Sequence, residues 1–525
     1  MKKNMIWSCL LLVFVLSVSA LAAPKSNILN VAIQVEPDTL DPHACNNTTQ
    51  ERTIPQIYEP LVDISDDMVS IKPMLATSWT ISDDLKTYTF YLRKNVKFSD
   101  GTPFDAQAVK FNIDRINYIK KLPYAVTQKI KSVEIVDDYT VRLTMHEPFT
   151  PFLAAMRRVF MVSPSAVKKY QKNNDWAQGW LTDHSAGSGP YKVSKWVRRT
   201  NLALVKNGLY REGWSGKHFT TVNLRIIYEA EAQKMLLQNG ELDIITIINR
   251  DLLSQLEQDR NIYIETNPVA AQMYVMMNCA AGPTADPRVR KALAYAWNYD
   301  TYNRLMNGQT TGSDLPIPKS LMGSNFSLKN PYQYNLEKAK QLLAEAGYPN
   351  GGFSLEYLVQ KGDEQKIIMY QVMQSEYKKL GIDLILTEMD WPALLARVTD
   401  WADNQDLDRI PSMLPFYKSP DVWHPWTFLW ELFHTEAEIH RQGHWNMMFY
   451  ENTVVDKLID QALVEKDNNR ALDLWTEAAE IIVEDSPALF VDGRMDYAVM
   501  RKSVGGFVYR PIADNFFLYY ELYRK

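Results

Sequence analysis

The residues best equipped for chemistry cluster late in the chain. His440-Arg441-Gln442-Gly443-His444 sets two imidazoles at i and i+4, with His424 and His434 upstream, and imidazole nitrogens suit Ni²⁺, Cu²⁺ or Zn²⁺. Gly443, directly before the second histidine, works against a continuous helix, so the two rings need not share a face. The other reading is of hydrogen-bonded or solvent-facing histidines, and both stay open. Nucleophilic, zincin and thioredoxin-type mechanisms lack their parts: there is no G-x-S-x-G, no H-E-x-x-H and no C-x-x-C. An enzyme is not expected. The stretch Trp391 to Trp430 holds five of the 14 tryptophans: Trp391, Trp401, Trp423, Trp426 and Trp430. They read either as core aromatics or as the wall of a ligand cleft, where aromatic faces favour sugar rings, quaternary cations or apolar side chains.

Such residues need a scaffold, and 525 residues with 46% hydrophobic and 23% charged side chains are enough for two or three domains with proper cores. The formal net charge of -5 disfavours nucleic acid as a partner. Residues 1–22 differ from the rest: Lys2 and Lys3, an apolar run from Ile6 to Val18, and Ala20-Leu21-Ala22 form an export signal with a small-x-small cleavage site. Cys9 lies too early in that run to carry a lipid anchor, so a soluble periplasmic protein is expected. Cleavage leaves Cys45 and Cys279 in an oxidising compartment, either bridged or as two buried thiols.

The chain is organised around Leu75 to Ile116. Tyr88, Phe90 and Leu92 alternate with Thr87, Thr89, Tyr91 and Arg93, which predicts a strand paired with Trp79 to Ile81. Asp100-Gly101 supplies a turn and Asp105 an N-cap, and Val109, Ile113 and Ile116 recur at helical spacing. This string, W-x-x-S-x-D-x-x-T-Y-T-F-x-L-R-x-x-V-x-F-x-D-G-x-P-F-x-A, resembles the signature of the family 5 extracellular solute-binding proteins, the peptide and nickel receptors of ABC importers. Where that family usually carries Gly in the hairpin turn, Leu85 stands here. A left-handed Leu costs about 1 kcal/mol, so a slightly altered turn is expected.

Other strings carry the same resemblance: Ile57-Tyr58-Glu59-Pro60-Leu61, Ser188-Gly189-Pro190-Tyr191, and Asp286 to Ala296. The resemblance implies an α/β, two-lobed periplasmic binding protein of the Venus-flytrap type with an extra subdomain in the first lobe. Lobe I would comprise residues 23–277 and 488–525, its subdomain roughly 70–186, and lobe II residues 278–487. Two crossings between lobes make a hinge. The loop before Ile57 faces the ligand in the family, which makes Asn46, Asn47 and Thr48 candidate contacts, the alternative being a solvated turn.

Two family anchors are missing. Phe416 occupies the place of the Asp that binds a peptide ammonium, and Gln360-Lys361 the place of the Arg that holds a carboxylate. Lys361 substitutes only as a point charge. The expected ligand is therefore held by aromatic faces and neutral hydrogen bonds, with Gln360, Lys361, Trp391, Phe416, Tyr417 and Trp423 as candidate contacts. The implied function is a monomeric receptor without a cofactor. It would capture an oligopeptide or peptide-like compound, or an oligosaccharide, and deliver it to an ABC permease of the inner membrane. A nickel or metal-chelate receptor, with His440 and His444 as ligands, and a ligand sensor without transport are the alternatives.

Overall fold

The computed structural model describes residues 27–44, 52–68, 70–121, 123–246, 250–306, 310–311, 315–322, 326–404, 411–420, 422–437, 445–513 and 515–525, with side chains at 400–404 excepted. The export signal expected at 1–22 lies outside the described residues. Strands such as Thr221–Ile226 bury every second side chain and assemble into one ten-stranded mixed sheet. Its order is Ile382–Met389, Phe353–Gln360, Met413–Lys418, Ile262–Met277, Ala488–Arg501, Ile244–Ile245, Ile28–Ile33, Thr221–Ile226, Asn201–Lys206 and Tyr191–Val197. Helices cover it, among them Pro287–Tyr295, Leu336–Glu345, Glu364–Lys378 and Asn468–Asp485.

Two strands at the middle of that order join two cores. In the first crossing strand, Ile262–Met277, Ile262 is buried with Leu237, Leu253 and Val499, whereas Met273 to Met277 belong to the core built by residues 289–483. In the second, Ala488–Arg501, Ala488 to Val491 pack into that same core, and Ala498 and Met500 pack with Leu29, Val31 and Leu204 in the other. The two strands pair antiparallel from Ile262↔Arg501 to Met276↔Ala488, with the register broken between Pro268 and Gln272 and again at Met273/Tyr274.

The small sheet of the signature lies apart, in the order Ala76–Ile81, Thr87–Leu92, Thr140–Met145, Ile130–Asp137, with its own core of Tyr88, Phe90, Phe98, Phe104, Val109 and Ile113. The hairpin is kept, and Leu85 itself takes the left-handed conformation at φ 57, its N–H donating to Ser82 O at 3.0 Å. The expected alteration of the turn does not occur: Leu85 itself adopts the left-handed backbone conformation. Asp105 caps the helix Ala106–Ile119 by accepting from Ala108 N–H.

That helix is tied to the large sheet's lobe by a fully buried ion pair. Arg115 donates to both oxygens of Asp41 at 2.7 and 2.6 Å and, through Nε, to Trp176 O. His43 accepts from Arg115 on Nδ1 at 2.9 Å and donates from Nε2 to Phe160 O at 2.8 Å. Burial, helped by Arg115, lowers the His43 pKa to about 3, so the ring is neutral in the fold.

Removing one partner strands the other charge: Asp41→Ala is expected to cost about 3–5 kcal/mol in urea unfolding. For His43 the unfolded chain takes up a proton below pH 6.5 and the folded chain does not until about pH 3. Its contribution is fully present above pH 6.5 and declines as pH falls through that window. Urea midpoints measured from pH 7 to pH 4 should therefore fall less steeply in His43→Gln than in the parent.

Candidate functional site

Where the two crossing strands leave one core for the other, a cavity of about 540 Å³ opens. Its lining comes from both lobes and from the crossing itself. Thr246 and Asn515 contribute from one side, Met306, Asp363, Glu364 and Ile368 from the other, and Met273, Arg494 and Asp496 from the crossing strands. A larger cavity of about 620 Å³ lies within the first lobe, between Asp100, Trp180 and Lys192. Its walls belong to one lobe, so lobe movement has no means of enclosing a ligand there. The site is placed at the crossing.

Sheet register decides which side chains reach it. Tyr417 pairs with Met273, which pairs with Asp492, while Phe416 pairs with Tyr274, which pairs with Phe490. Adjacent residues of a strand face opposite ways. Tyr417 and Met273 therefore line the cavity, and Phe416, Tyr274 and Phe490 form a buried aromatic row on the other face, with Phe416 stacked on Trp445 at 5.6 Å.

Of the residues expected from sequence, Tyr417 is brought to the cavity and Phe416 is not. Gln360 and Lys361 are exposed at the end of their strand, and the cavity is lined instead by the residues just beyond, Asp363 to Gln365, at the start of the helix Glu364–Lys378. Trp391 is half-buried against the second lobe's core. Trp423 donates its indole N–H to Met68 O at 2.6 Å, a contact between the lobes made away from the cavity. Its neighbour Trp426 meets Phe149 of the small sheet edge-on at 5.6 Å. None of Phe416, Trp391 and Trp423, expected as aromatic anchors, lines this cavity. Asn46, Asn47 and Thr48 lie outside the described residues, as do His440 and His444.

His424 accepts from Trp426 N–H, and His434 accepts from Glu436 N–H while its Nε2 lies 3.4 Å from Asp460. Among the described residues no three metal-ligating side chains gather.

The residues that the sequence reading missed are Asp492, Arg494 and Asp496. They stand at alternate positions in a strand that is otherwise apolar at Ala488 to Val491 and Ala498 to Met500, and that alternation of charge was visible in the sequence. Arg494 is exposed, and its guanidinium carbon lies 5.8 Å from the ring centre of Tyr417. Asp496 accepts from Asn515 N–H at 2.8 Å, and Asp492 from the Tyr302 hydroxyl at 3.4 Å. Burial and the Asp492 charge hold the Tyr302 hydroxyl well above its ordinary pKa. Asp363 is committed locally, capping its helix through Lys366 N–H and pairing with Lys366 Nζ at 3.0 Å. The side-chain oxygen of Asn515 is buried without a hydrogen-bond partner among the described residues.

Cys279 is a free thiol that donates to Met277 O, and its backbone N–H is bonded to Met448 O inside the second lobe. The bridge to Cys45 weighed from the sequence is not formed at this sulfur, and Cys45 lies outside the described residues. Burial pushes the Cys279 thiol up to about 11. It should react with a thiol-specific disulfide reagent at pH 8 at least 100-fold more slowly in the native protein than in denaturant; comparable rates would show an open thiol.

Comparison with known proteins places this geometry. The family model for bacterial extracellular solute-binding proteins, family 5 Middle, matches residues 70–438. The chain is 28% identical over 528 residues to the probable D,D-dipeptide-binding periplasmic protein DdpA of Escherichia coli (strain K12), covering 98% of this chain and 99% of that one. It is 30% identical over 481 residues to the glutathione-binding protein GsiB of Shigella flexneri serotype 5b (strain 8401), covering 87% of each. Its fold is similar to that of HbpA2 from Haemophilus parasuis, with a TM-score of 0.83 and 26% identity over 95% of this chain and all of the other. Two α/β lobes joined by paired crossing strands, an extra small sheet and these matches agree: the chain belongs to the family 5 bacterial extracellular solute-binding proteins, and is a receptor rather than an enzyme.

Proposed function

We propose that the protein is a periplasmic receptor for short peptides or peptide-like compounds, which it encloses between its lobes and passes to an ABC permease. One observation carries the reading: the cavity at the crossing is lined from both lobes and combines charged, amide, hydroxyl and apolar side chains. A site of that size and mixture suits a ligand with a polar backbone and small side chains better than a sugar or a bare metal ion. The matched relatives whose printed names refer to a D,D-dipeptide and to glutathione support it. With lobe I at 23–277 and 488–525 and lobe II at 278–487, the cavity falls on the boundary between the two.

Closure must draw on contacts that the ligand makes only in the closed form, since equal affinity for both forms shifts nothing. Binding to the native state also raises its melting temperature by mass action. A thermal-shift screen of di- to pentapeptides, neutral oligosaccharides and Ni²⁺ chelates should single out peptides. Small-angle scattering with the best peptide should then show a smaller radius of gyration than without it. A shift produced only by sugars or chelates, or an unchanged radius at saturation, would sink the proposal.

A further inference from the structure

The larger cavity, of about 620 Å³, runs along the free edge of the large sheet. The last strand in the sheet order, Tyr191–Val197, has a neighbour on one side only, and its residues Lys192 to Trp196 line the cavity. Residues three apart on a regular strand face opposite ways. Here Lys192 pairs with Val205 and Lys195 with Ala203, so one extra residue, Ser194, brings both ammonium groups to the same face. Leu202 and Leu204, buried in the core, take the opposite face. Lys169 joins the pair from the helix Pro164–Tyr170, and none of the three lysines has an ion pair among the described residues. The carboxylates of the cavity are engaged: Asp100 accepts from the Ser163 and Thr102 hydroxyls, and Asp183 lies 2.5 Å from His184 Nδ1. The uncommitted charge is therefore positive.

The wall across from the strand is aromatic. Trp180 stacks on Tyr170 at 4.2 Å, and His184 stacks on Trp180 at 4.8 Å. A strained loop leads into this wall. Asn173, Asn174, Trp176 and Ala177 are all left-handed, which is unfavourable for residues with a side chain. The loop keeps that shape because the Asp175 carboxylate accepts N–H groups from Lys172, Ala177 and Gly179, and Trp176 packs against Phe111 and Tyr118. Lysines and a bulge on an edge strand also keep other strands off, and Ser185 occupies the Val193 N–H at 3.0 Å, so a partner strand cannot add regularly here. That protective role asks nothing of Lys169 or of the aromatic wall.

Ammonium groups select an anion, and aromatic rings with the hydroxyls of Ser99, Ser165 and Ser194 suit a ligand that has both C–H surface and hydroxyl groups. We propose that this cavity is a second ligand site, for a saccharide bearing a carboxylate or phosphate. Lys192 and Lys195 meet the acid group, and the Trp180 wall and the serine hydroxyls meet the sugar. Because one lobe supplies every wall, the site is open in both positions of the lobes, and it does not depend on what the crossing cavity binds.

The test is a set of ligand-observed NMR titrations with glucuronate, glucose 6-phosphate, glucose, inorganic phosphate and hexaglutamate. Both sugar acids should bind at least 10-fold more tightly than glucose, and glucose 6-phosphate at least 10-fold more tightly than phosphate. The double variant Lys192→Gln, Lys195→Gln should lower affinity for the sugar acids at least 10-fold and leave the weak binding of glucose within about 3-fold. Trp180→Ala should weaken all three sugars at least 5-fold. Both lysines are exposed, so the double variant should keep the parental circular dichroism and melting temperature even if Trp180→Ala does not fold. Small-angle scattering at saturating glucuronate should show an unchanged radius of gyration. No binding of either sugar acid, or a folded double variant with parental affinity, would overturn the inference. Phosphate binding as tightly as glucose 6-phosphate would leave an anion site without a sugar, and tighter binding of hexaglutamate would make this a peptide surface; either result overturns it too. A smaller radius with glucuronate would move the sugar to the crossing and sink this site as well. The peptide reading of the crossing cavity is decided separately, by the thermal-shift screen.

Discussion

Everything in this molecule hangs on the antiparallel pairing of two long strands. Ile262–Met277 and Ala488–Arg501 share a ladder at both ends, near Ile264↔Val499 and near Val275↔Leu489, and lose register between. The ends are held by apolar side chains that belong to different cores. The middle is held by less, because a bulge takes Val269 to Ala271 out of the ladder. One break thus frees the backbone to bend, removes the side chains that would have covered the strand, and leaves a pocket into which charges can project. The position of the site follows from the point where regular pairing stops.

The strings that identify the family turn out to be joints. Asp100 of the signature turn accepts from the Ser163 hydroxyl at 2.5 Å, Thr102 shares that hydroxyl, and Ser99 N–H bonds to Gly187 O. Gly187 and Gly189 press on the Ile57 carbonyl so closely that a Cβ at Gly187 would lie 2.1 Å from it. The signature, the Ile57 to Leu61 segment and the Ser188 to Tyr191 segment meet where the small sheet docks on the first lobe, with the buried Asp41–Arg115 pair close behind. Residues that fix a scaffold resist change whatever the ligand is, which is why the sequence discloses the family so readily and the ligand so poorly.

Local elements were legible because their causes are local. Alternation marks the strand at Thr87, and a side-chain cap with apolar residues at helical spacing marks the helix after Asp105. The site was less legible because its cause is not local. Whether Phe416 or Tyr417 faces the cavity depends on pairing with Tyr274 and Met273, more than a hundred residues earlier. A density of tryptophans likewise says nothing about which face is covered, and Trp423 and Trp426 make contacts between lobes. The charged row at Asp492 to Asp496 was the exception. It could be read directly, but it sits in a segment whose evident role is to return the chain to the first lobe.

The topology also sets an order of events when the chain is made. Ile244–Ile245, next to the strand Ile28–Ile33 in the first lobe, finds its other neighbour in Val499 and Met500, and Asp243 is held by Arg524, the penultimate residue. Roughly 250 residues separate these partners. At about 5–20 residues per second the ribosome needs about 10–50 s to supply them. Through that interval the segment made first carries an open sheet edge and lacks its closing contacts, whereas the later lobe, drawn from one continuous stretch around residues 273–491, has all it needs as it emerges. The lobe that begins first is completed last, and until then its open edge has to be kept from other strands.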